Sequence, residues 1–583
     1  MPRHDLDRTG TFLVAELEQV RNDMVAIAEE HEVSLFEERA ENLTPEEFEA
    51  WTAPTPHDEQ ILRQLQTQGP KLLTGPRGCG KTTLLLRAAA EIRKRGSALP
   101  VYVNYGRSMF TEPAFNQRSD ADGFFQDWLV AKVIAAMDET FQRLEVHAPD
   151  LRSQGEIARS FIDLAERNPH AARPDLPGPT ALTKALESWA EKAKAKRIVL
   201  LLDDAAHAFV PEQQRVFFEY LRNLRTPAVT YKAAIYPGVT EFSPNFHVGH
   251  DAKLVHAWVP VEGSEYLDFM RSIYERRLPP AIRNRISVGV VLLFAAASFG
   301  VPRTFFALIE TYLENWRGQP ARSAQAANNT IIQNSDQLRD LHRSLSRKLP
   351  RYRQYVETGE KALDKLLLLI GELNETRHRA KTDAQALDVA IRHPIDSRLV
   401  TILGLLEYAG LVRRTNEAVS HGADRYSKFA IHGCLLVAAG ALKFGQNPTM
   451  EQRANALVKT SRTGSYKRVG SEGILTPKQA EACQLVVANC AKCGTPRPME
   501  NARFCGACGA ELVDASRFEE LMATSIDELS LTRKKLRALH DQEMHKIEDL
   551  IRDRGLTEIS KAQRIGPVWA RRVYSLAEEF VGV

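Results

Sequence analysis

KLLTGPRGCGKTTLLLRAAAEI, residues 71–92, decides how the rest of the chain is read. A short apolar run (KLLT) enters a glycine-rich turn, and a helix-forming segment rich in Leu and Ala follows. Gly75, Gly80, Lys81 and Thr82 fill the pattern G-x-x-x-x-G-K-[ST]. Glycines let consecutive backbone N–H groups close around a phosphate, and the helix N-terminus adds partial positive charge. In such a loop the lysine reaches the outer phosphates and the threonine hydroxyl meets Mg²⁺. The expected nucleotide-binding set is Gly75, Pro76, Arg77, Gly78, Cys79, Gly80, Lys81, Thr82 and Thr83. Cys79 is read as a small filler rather than a nucleophile.

The complementary element lies downstream. IVLLLDDAAHAF, residues 198–209, is an apolar run ending in two acids, Asp203 and Asp204. A buried strand delivers a carboxylate to a metal–nucleotide site in this way. Asp203 is the Mg²⁺-side carboxylate, together with Thr82. Asp204 is the candidate for polarising the attacking water. An aspartate there is one methylene shorter than a glutamate, about 1.5 Å of reach. Errors of that size slow catalysis, so slow hydrolysis is expected.

Composition bounds the remainder. At 583 residues the chain has room for several domains, and 44% hydrophobic with 26% charged residues suits a globular protein. A net charge of +3 does not by itself imply nucleic acid; any basic surface must be local. The N-terminal stretch is charged and lacks a secretory apolar core. The longest apolar run, VGVVLLFAAASFGV at 288–301, falls short of the roughly 20 residues that span a bilayer. It reads as a buried helix, and a cytoplasmic protein without membrane association is expected.

Four of the seven cysteines form one cluster. Cys490, Cys493, Cys505 and Cys508 are spaced C-x2-C-x11-C-x2-C, with a glycine just after Cys493 and Cys508 to permit tight turns. Four thiolates suit a closed, structural tetrahedral Zn²⁺ site. Cys434 and Cys483 lie outside the pattern.

Further signals place the chain in a family. FGVPRTFFALIETYL opens a helix with Arg303 near its start. SRLVTILGLLEYAGLVRR (397–414) reads as a helix, and two strand-like runs follow it. The order of P-loop, acidic strand, GxPR lid and helix-then-hairpin resembles the ORC-type (origin-recognition and initiator-like) AAA+ ATPases over roughly residues 33–445. The resemblance implies an α/β P-loop core (57–261), a helical lid (262–318) whose Arg303 is a sensor-2 arginine, and a winged helix (391–445). It also implies a polar sensor-1 residue near the end of YKAAIYPGVT, with Thr240 as the choice, and an arginine finger among Arg222 and Arg225. Arg398, Arg413, Arg414, Arg425 and Lys428 would face DNA phosphates. The Asp-Asp pair departs from the Asp-Glu of initiators and is closer to STAND signalling NTPases.

The remaining segments are a helical N-terminal extension (1–56), a helical connector (319–390), a polar linker (446–485), the zinc ribbon (486–513) and a tail (514–583). The tail resembles a helix-hairpin-helix domain. Its turn Arg564-Ile565-Gly566-Pro567 would hold DNA phosphates through backbone N–H groups, with Arg564, Arg571 and Arg572, and Lys534 and Lys535, supplying charge. Its first hairpin, around RALHDQEMHKIEDLI, is degenerate, and Arg564 stands where the second hairpin's first glycine is expected. The whole reads as a multidomain α/β protein with an AAA+ core, using ATP, Mg²⁺ and Zn²⁺. The expected function is a slow ATPase acting as a nucleotide-gated switch or loader on double-stranded DNA, homo-oligomeric with nucleotide, that recruits a partner effector. The alternatives are a STAND-like signalling switch or a target selector for a nuclease, helicase or transposase.

Overall fold

The computed structural model describes residues 35–36, 39–52, 55–96, 98–204, 210–263, 265–315, 323–382, 385–458, 466–486, 489–490, 492–497, 502, 504–510, 512 and 516–582. Most of the expected N-terminal extension lies outside these residues. The chain divides into two units: 47–516, and 1–46 together with 517–583.

The larger unit is built on five parallel strands: β1 (Lys71–Thr74), β2 (Leu99–Asn104), β3 (Ile198–Asp203), β4 (Val229–Ile235) and β5 (Lys253–His256), in the order β2-β3-β4-β1-β5. Parallel strands need long crossovers, and those crossovers cover both faces with helices. That is why β1, β3 and β4 are buried along their whole length. Side chains alternate between the two faces. Leu72, Val101, Leu200, Leu202 and Ala233 join a core with α3 (Ala121–Arg143), α4 (Pro149–Ala165), α5 (Pro179–Lys192) and α6 (Pro211–Asn223). Leu73, Val199, Leu201, Ala234 and Val255 join the opposite core with α1 (Pro56–Gln66) and α2 (Lys81–Arg95). A capping box, Thr55 with Asp58, starts α1.

The order puts β4 between the glycine-loop strand β1 and the acidic strand β3. Register places Thr74 beside Ile235, and Leu202 beside Ala233. The three strands therefore end together, at the carboxyl edge where open α/β sheets bind ligands.

Helices α7 (Tyr266–Arg277), α8 (Val288–Ala297) and α9 (Pro302–Asn315) follow. Apart from the exposed Val288 and the half-buried Leu292, α8 is buried, as its composition suggests. Two long helices come next, α10 (Ser323–Lys348) and α11 (Arg353–Arg379). A second sheet then forms from β6 (Asp388–Arg392), β7 (Val412–His421), β8 (Asp424–Ile431) and β9 (Tyr466–Val469), in the order β7-β8-β6-β9. Between β6 and β7 lies α12 (Ser397–Tyr408), so the expected helix-then-hairpin order is present. Two helices, α13 (Gly433–Ala438) and α14 (Met450–Val458), follow the hairpin.

The expected linker 446–485 requires correction. It contains α14, which packs on α8, and β9, which pairs in parallel with β6. A capped helix, Pro477–Ala482, closes the segment. Residues 446–485 are therefore largely part of the folded body.

In the smaller unit, α15 (Arg533–His540), α16 (Ile547–Arg552) and α17 (Pro567–Gly582) form two hairpins, and Arg39 pairs with Glu578 at 2.9 Å. Among the described residues no helix is long and apolar enough to cross a membrane.

Candidate nucleotide and metal sites

Gly80 has φ +93° and Gly78 φ +78°, conformations open to glycine, and Gly80 leads directly into α2. Lys81 is buried; its ammonium donates to the carbonyl oxygens of Gly75 and Pro76, each at 2.9 Å. It also lies 3.7 Å above the Tyr236 ring. Burial lowers the Lys81 pKa, and Cys79, Asp204 and Asp203 oppose that shift. Cys79 is buried behind the loop, where desolvation raises its thiol pKa, as suits a filler and not a nucleophile.

Asp203 and Asp204 sit at the end of β3, next to this loop. The Tyr102 hydroxyl donates to Asp203 Oδ2 at 2.9 Å, and the Asp204 backbone N–H donates to Asp203 Oδ1 at 3.0 Å. Asp204 is left-handed, with φ +49°. Its carboxylate accepts a hydrogen bond from the Tyr236 hydroxyl, 2.8 Å to Oδ1. Tyr236 is buried, the first residue after β4. Desolvation, then Asp204 and Asp203, push its pKa well above the ordinary tyrosine value.

Tyr236 was missed in the sequence, and Thr240 takes a different role from the one expected. The Thr240 hydroxyl donates to the Tyr236 carbonyl at 2.8 Å and accepts from the Tyr236 N–H at 3.2 Å. Thr240 thus closes the turn after β4, while Tyr236 faces the acids. The available signal was position alone: a hydroxyl-bearing side chain directly after β4.

The lid reaches the same loop. A methyl group at Gly78 would lie 2.7 Å from Arg303 Cβ, so the start of α9 rests on the middle of the loop. The lid turn is held in place: Trp258 Nε1–H donates to the Phe299 carbonyl at 2.6 Å, and Gly300 N–H to the Tyr266 hydroxyl at 3.0 Å. Arg222 is exposed and pairs with Glu219 at 3.4 Å; Arg225 is exposed.

The second sheet's module also abuts the site. Gly238 and Gly404 meet backbone to backbone: a methyl group at Gly238 would lie 2.0 Å from the Gly404 carbonyl oxygen. The rings of Tyr236 and Tyr408 meet edge-on, 5.7 Å between centroids. A methyl group at Gly410 would lie 3.7 Å from Pro76.

Two cations expected to face DNA are turned inward. Arg413 is buried, donates to the Val259 carbonyl at 3.2 Å and pairs with Glu262. Lys428 is buried and pairs with Asp388 at 3.0 Å. Each is held where its charge has a partner, as burial requires. Arg398, Arg414 and Arg425 remain exposed.

Residues 63–235 match the family model described as an AAA domain. This segment is an AAA domain. No curated protein matches the chain. Among solved structures, the chain is similar to the Aeropyrum pernix Orc1 protein in complex with DNA, at 17% identity and TM-score 0.27, covering 67% of this chain and 93% of that one. It is also similar to Cdc6p from Pyrobaculum aerophilum, at 14% identity and TM-score 0.28, covering 70% and 98%.

Beyond the AAA domain, Cys490, Cys493, Cys505 and Cys508 bring their sulfur atoms within 4.8 Å of one another. Cys490–Cys508 and Cys493–Cys505 are 3.6 and 3.5 Å apart. A tetrahedron with Zn–S of about 2.3 Å has edges of about 3.8 Å, so the donor set fits that metal. Each pair sits on the same turn: Gly494 N–H donates to the Cys490 carbonyl at 2.8 Å, and Gly509 N–H to the Cys505 carbonyl at 2.9 Å, with both glycines at positive φ. A chelator, or Cys505→Ser, is expected to unfold this small module while leaving ATP affinity within about twofold, since few apolar residues hold it together. Metal release by absorbance and tryptic cleavage after Lys492 check this.

The tail's two hairpins share a backbone form. Glu543 (φ +60°) and Arg564 (φ +63°) occupy equivalent left-handed positions. The first hairpin is closed by its own acid: Asp549 Oδ2 accepts from the N–H groups of His545 at 2.9 Å and Lys546 at 2.8 Å. The second has glycine and proline at those positions, Gly566 and Pro567. Around it Lys535 Nζ lies 3.6 Å above the Trp569 ring and 3.3 Å from the Arg564 carbonyl. Arg572 lies 5.2 Å from the same ring, and Arg564 and Arg571 are exposed.

Proposed function

We propose that the chain is an ORC-like AAA+ protein that binds ATP with Mg²⁺, hydrolyses it slowly and uses nucleotide to gate its hold on double-stranded DNA. One observation carries this reading: the glycine loop, the paired acids, the lid arginine and the module containing α12 all meet at the carboxyl edge of one sheet. ATP and Mg²⁺ would be held by Gly75–Thr83, Asp203 and Arg303, with Thr82 and Asp203 toward the metal. A nucleotide there contacts loop and lid together, so its phosphates bear on the position of the winged-helix-like module. Zn²⁺ on the four cysteines is structural in this reading.

DNA contact is assigned to the second hairpin, through Gly566 with Arg564, Arg571 and Arg572, and to the exposed Arg414. It is withdrawn from Arg413. Two linked grips raise effective concentration, so each can be weak. Homo-oligomerisation with nucleotide and recruitment of an effector belong to the same proposal. The shortened acid, Asp204, favours a switch over a motor.

Fluorescence anisotropy of a labelled duplex, with and without ATP, tests this. ATP is expected to change the Kd at least about fivefold, the lower range of allosteric coupling. Gly566→Glu is expected to weaken binding in both states, by more at low salt. A Kd that ignores both ATP and Gly566→Glu defeats the reading.

A further inference from the structure

We propose that Tyr236 is a positioning residue that holds Asp204 in a restrained state, and that the module carrying α12 sets this restraint through the turn at residues 236–240. This rests on the reading of the AAA domain as an ATPase. It adds a specific control element to that site.

To polarise water, a carboxylate oxygen must accept a hydrogen bond from that water. Asp204 Oδ1 already accepts from the Tyr236 hydroxyl at 2.8 Å. A hydrogen bond donated to a carboxylate stabilises its charge and makes it a weaker base. The same tyrosine ring lies under the Lys81 ammonium, 3.7 Å from centroid to Nζ. Tyr236 therefore touches two of the residues expected to act on the nucleotide, Lys81 and Asp204, and binds one of them directly.

The turn that carries Tyr236 is stiff and attached elsewhere. Thr240 closes it with two hydrogen bonds. Gly238 stands at φ +73° against the Gly404 backbone, with no space for even a methyl group between them. The Tyr408 ring, one helical turn on from Gly404, meets the Tyr236 ring edge-on. The far end is held as well: Tyr352 donates its hydroxyl to Glu241 at 2.9 Å. A shift of α12 toward or away from the sheet must carry the 236–240 turn with it, and the Tyr236 hydroxyl with the turn. In this way the module expected to meet DNA reports to the hydrolytic carboxylate.

The experiment is steady-state ATP turnover beside ATP affinity, measured by isothermal titration calorimetry on the full chain. Tyr236→Phe keeps the ring and removes only the hydroxyl. It is expected to raise kcat about tenfold, the equivalent of one hydrogen bond to a charged group, with ATP Kd unchanged. Tyr408→Ala loosens the contact and is expected to raise kcat in the parent but add nothing on top of Tyr236→Phe. Tyr408→Phe, which keeps the ring contact, is expected to leave kcat at the parent value and so reports on folding. A kcat that falls or stays level in Tyr236→Phe, or additive effects of the two substitutions, overturns the restraint. ATP bound and turned over with no response to Tyr236 defeats this proposal alone. Failure of the parent protein to bind ATP defeats the nucleotide reading and the proposal with it.

Discussion

Lys81→Ala is expected to weaken ATP binding about 10- to 100-fold and to bring turnover to background. The magnitude follows from a charge-assisted hydrogen bond of about 1.5–3 kcal/mol, with each 1.4 kcal/mol a factor of ten. The structure adds a second reason. The ammonium donates to the Gly75 and Pro76 carbonyls and lies on the Tyr236 ring, so it also shapes the loop. Alanine removes the phosphate contact and the loop's internal brace together. Calorimetric titration with ATP measures the effect, and Lys81→Met, which keeps the stem, apportions it. A Kd within threefold of the parent for Lys81→Ala would mean that the lysine does not bear on phosphate.

Gly238→Val is expected to separate the module containing α12 from the AAA domain. The Cβ alone would lie 2.0 Å from the Gly404 carbonyl oxygen, and the backbone there is at φ +73°. A side chain in the left-handed region costs about 1–2 kcal/mol, and overpacking a tight contact about 1–3 kcal/mol more. Both elements are backbone, so neither can yield by changing a rotamer. The expected result is a loss of about 2–5 kcal/mol on those figures, read as a lower urea midpoint or as a separate early transition for residues 385–469. Gly238→Ala should follow the same direction by a smaller amount. A parent-like midpoint for the valine variant would mean that the two backbones are not pressed together in solution.

What was legible in the sequence was local. The glycine loop, the paired acids and the four cysteines each lie within a short run whose spacing carries its own chemistry, and the structure brings each set together. Arg303 was legible because a Gly-Val-Pro turn announces the helix that places it. What escaped depends on distant partners. Tyr236 acquires its role only because β4 lies beside β3 in the sheet; in the sequence its ring reads as the end of an apolar strand. Arg413 and Lys428 read as cations available to phosphate, because charge is visible in a sequence and facing is not. Arg413 finds Glu262, 151 positions away. β9 is four residues, YKRV, in a polar stretch, and only pairing with β6 makes it a strand.

That late strand orders events during synthesis. β6 is made early in its module, with Val389, Ala390 and Ile391 at its centre, and β8 covers one of its edges once residue 431 has been made. The other edge waits for β9, whose last residue is Val469. An open edge beside apolar residues is a template for pairing with another chain. On the ribosome, the module therefore passes through an interval of nearly forty residues in which the second edge of β6 is uncovered. A polypeptide released at residue 445 would remain in that interval permanently, with a free edge open to self-association.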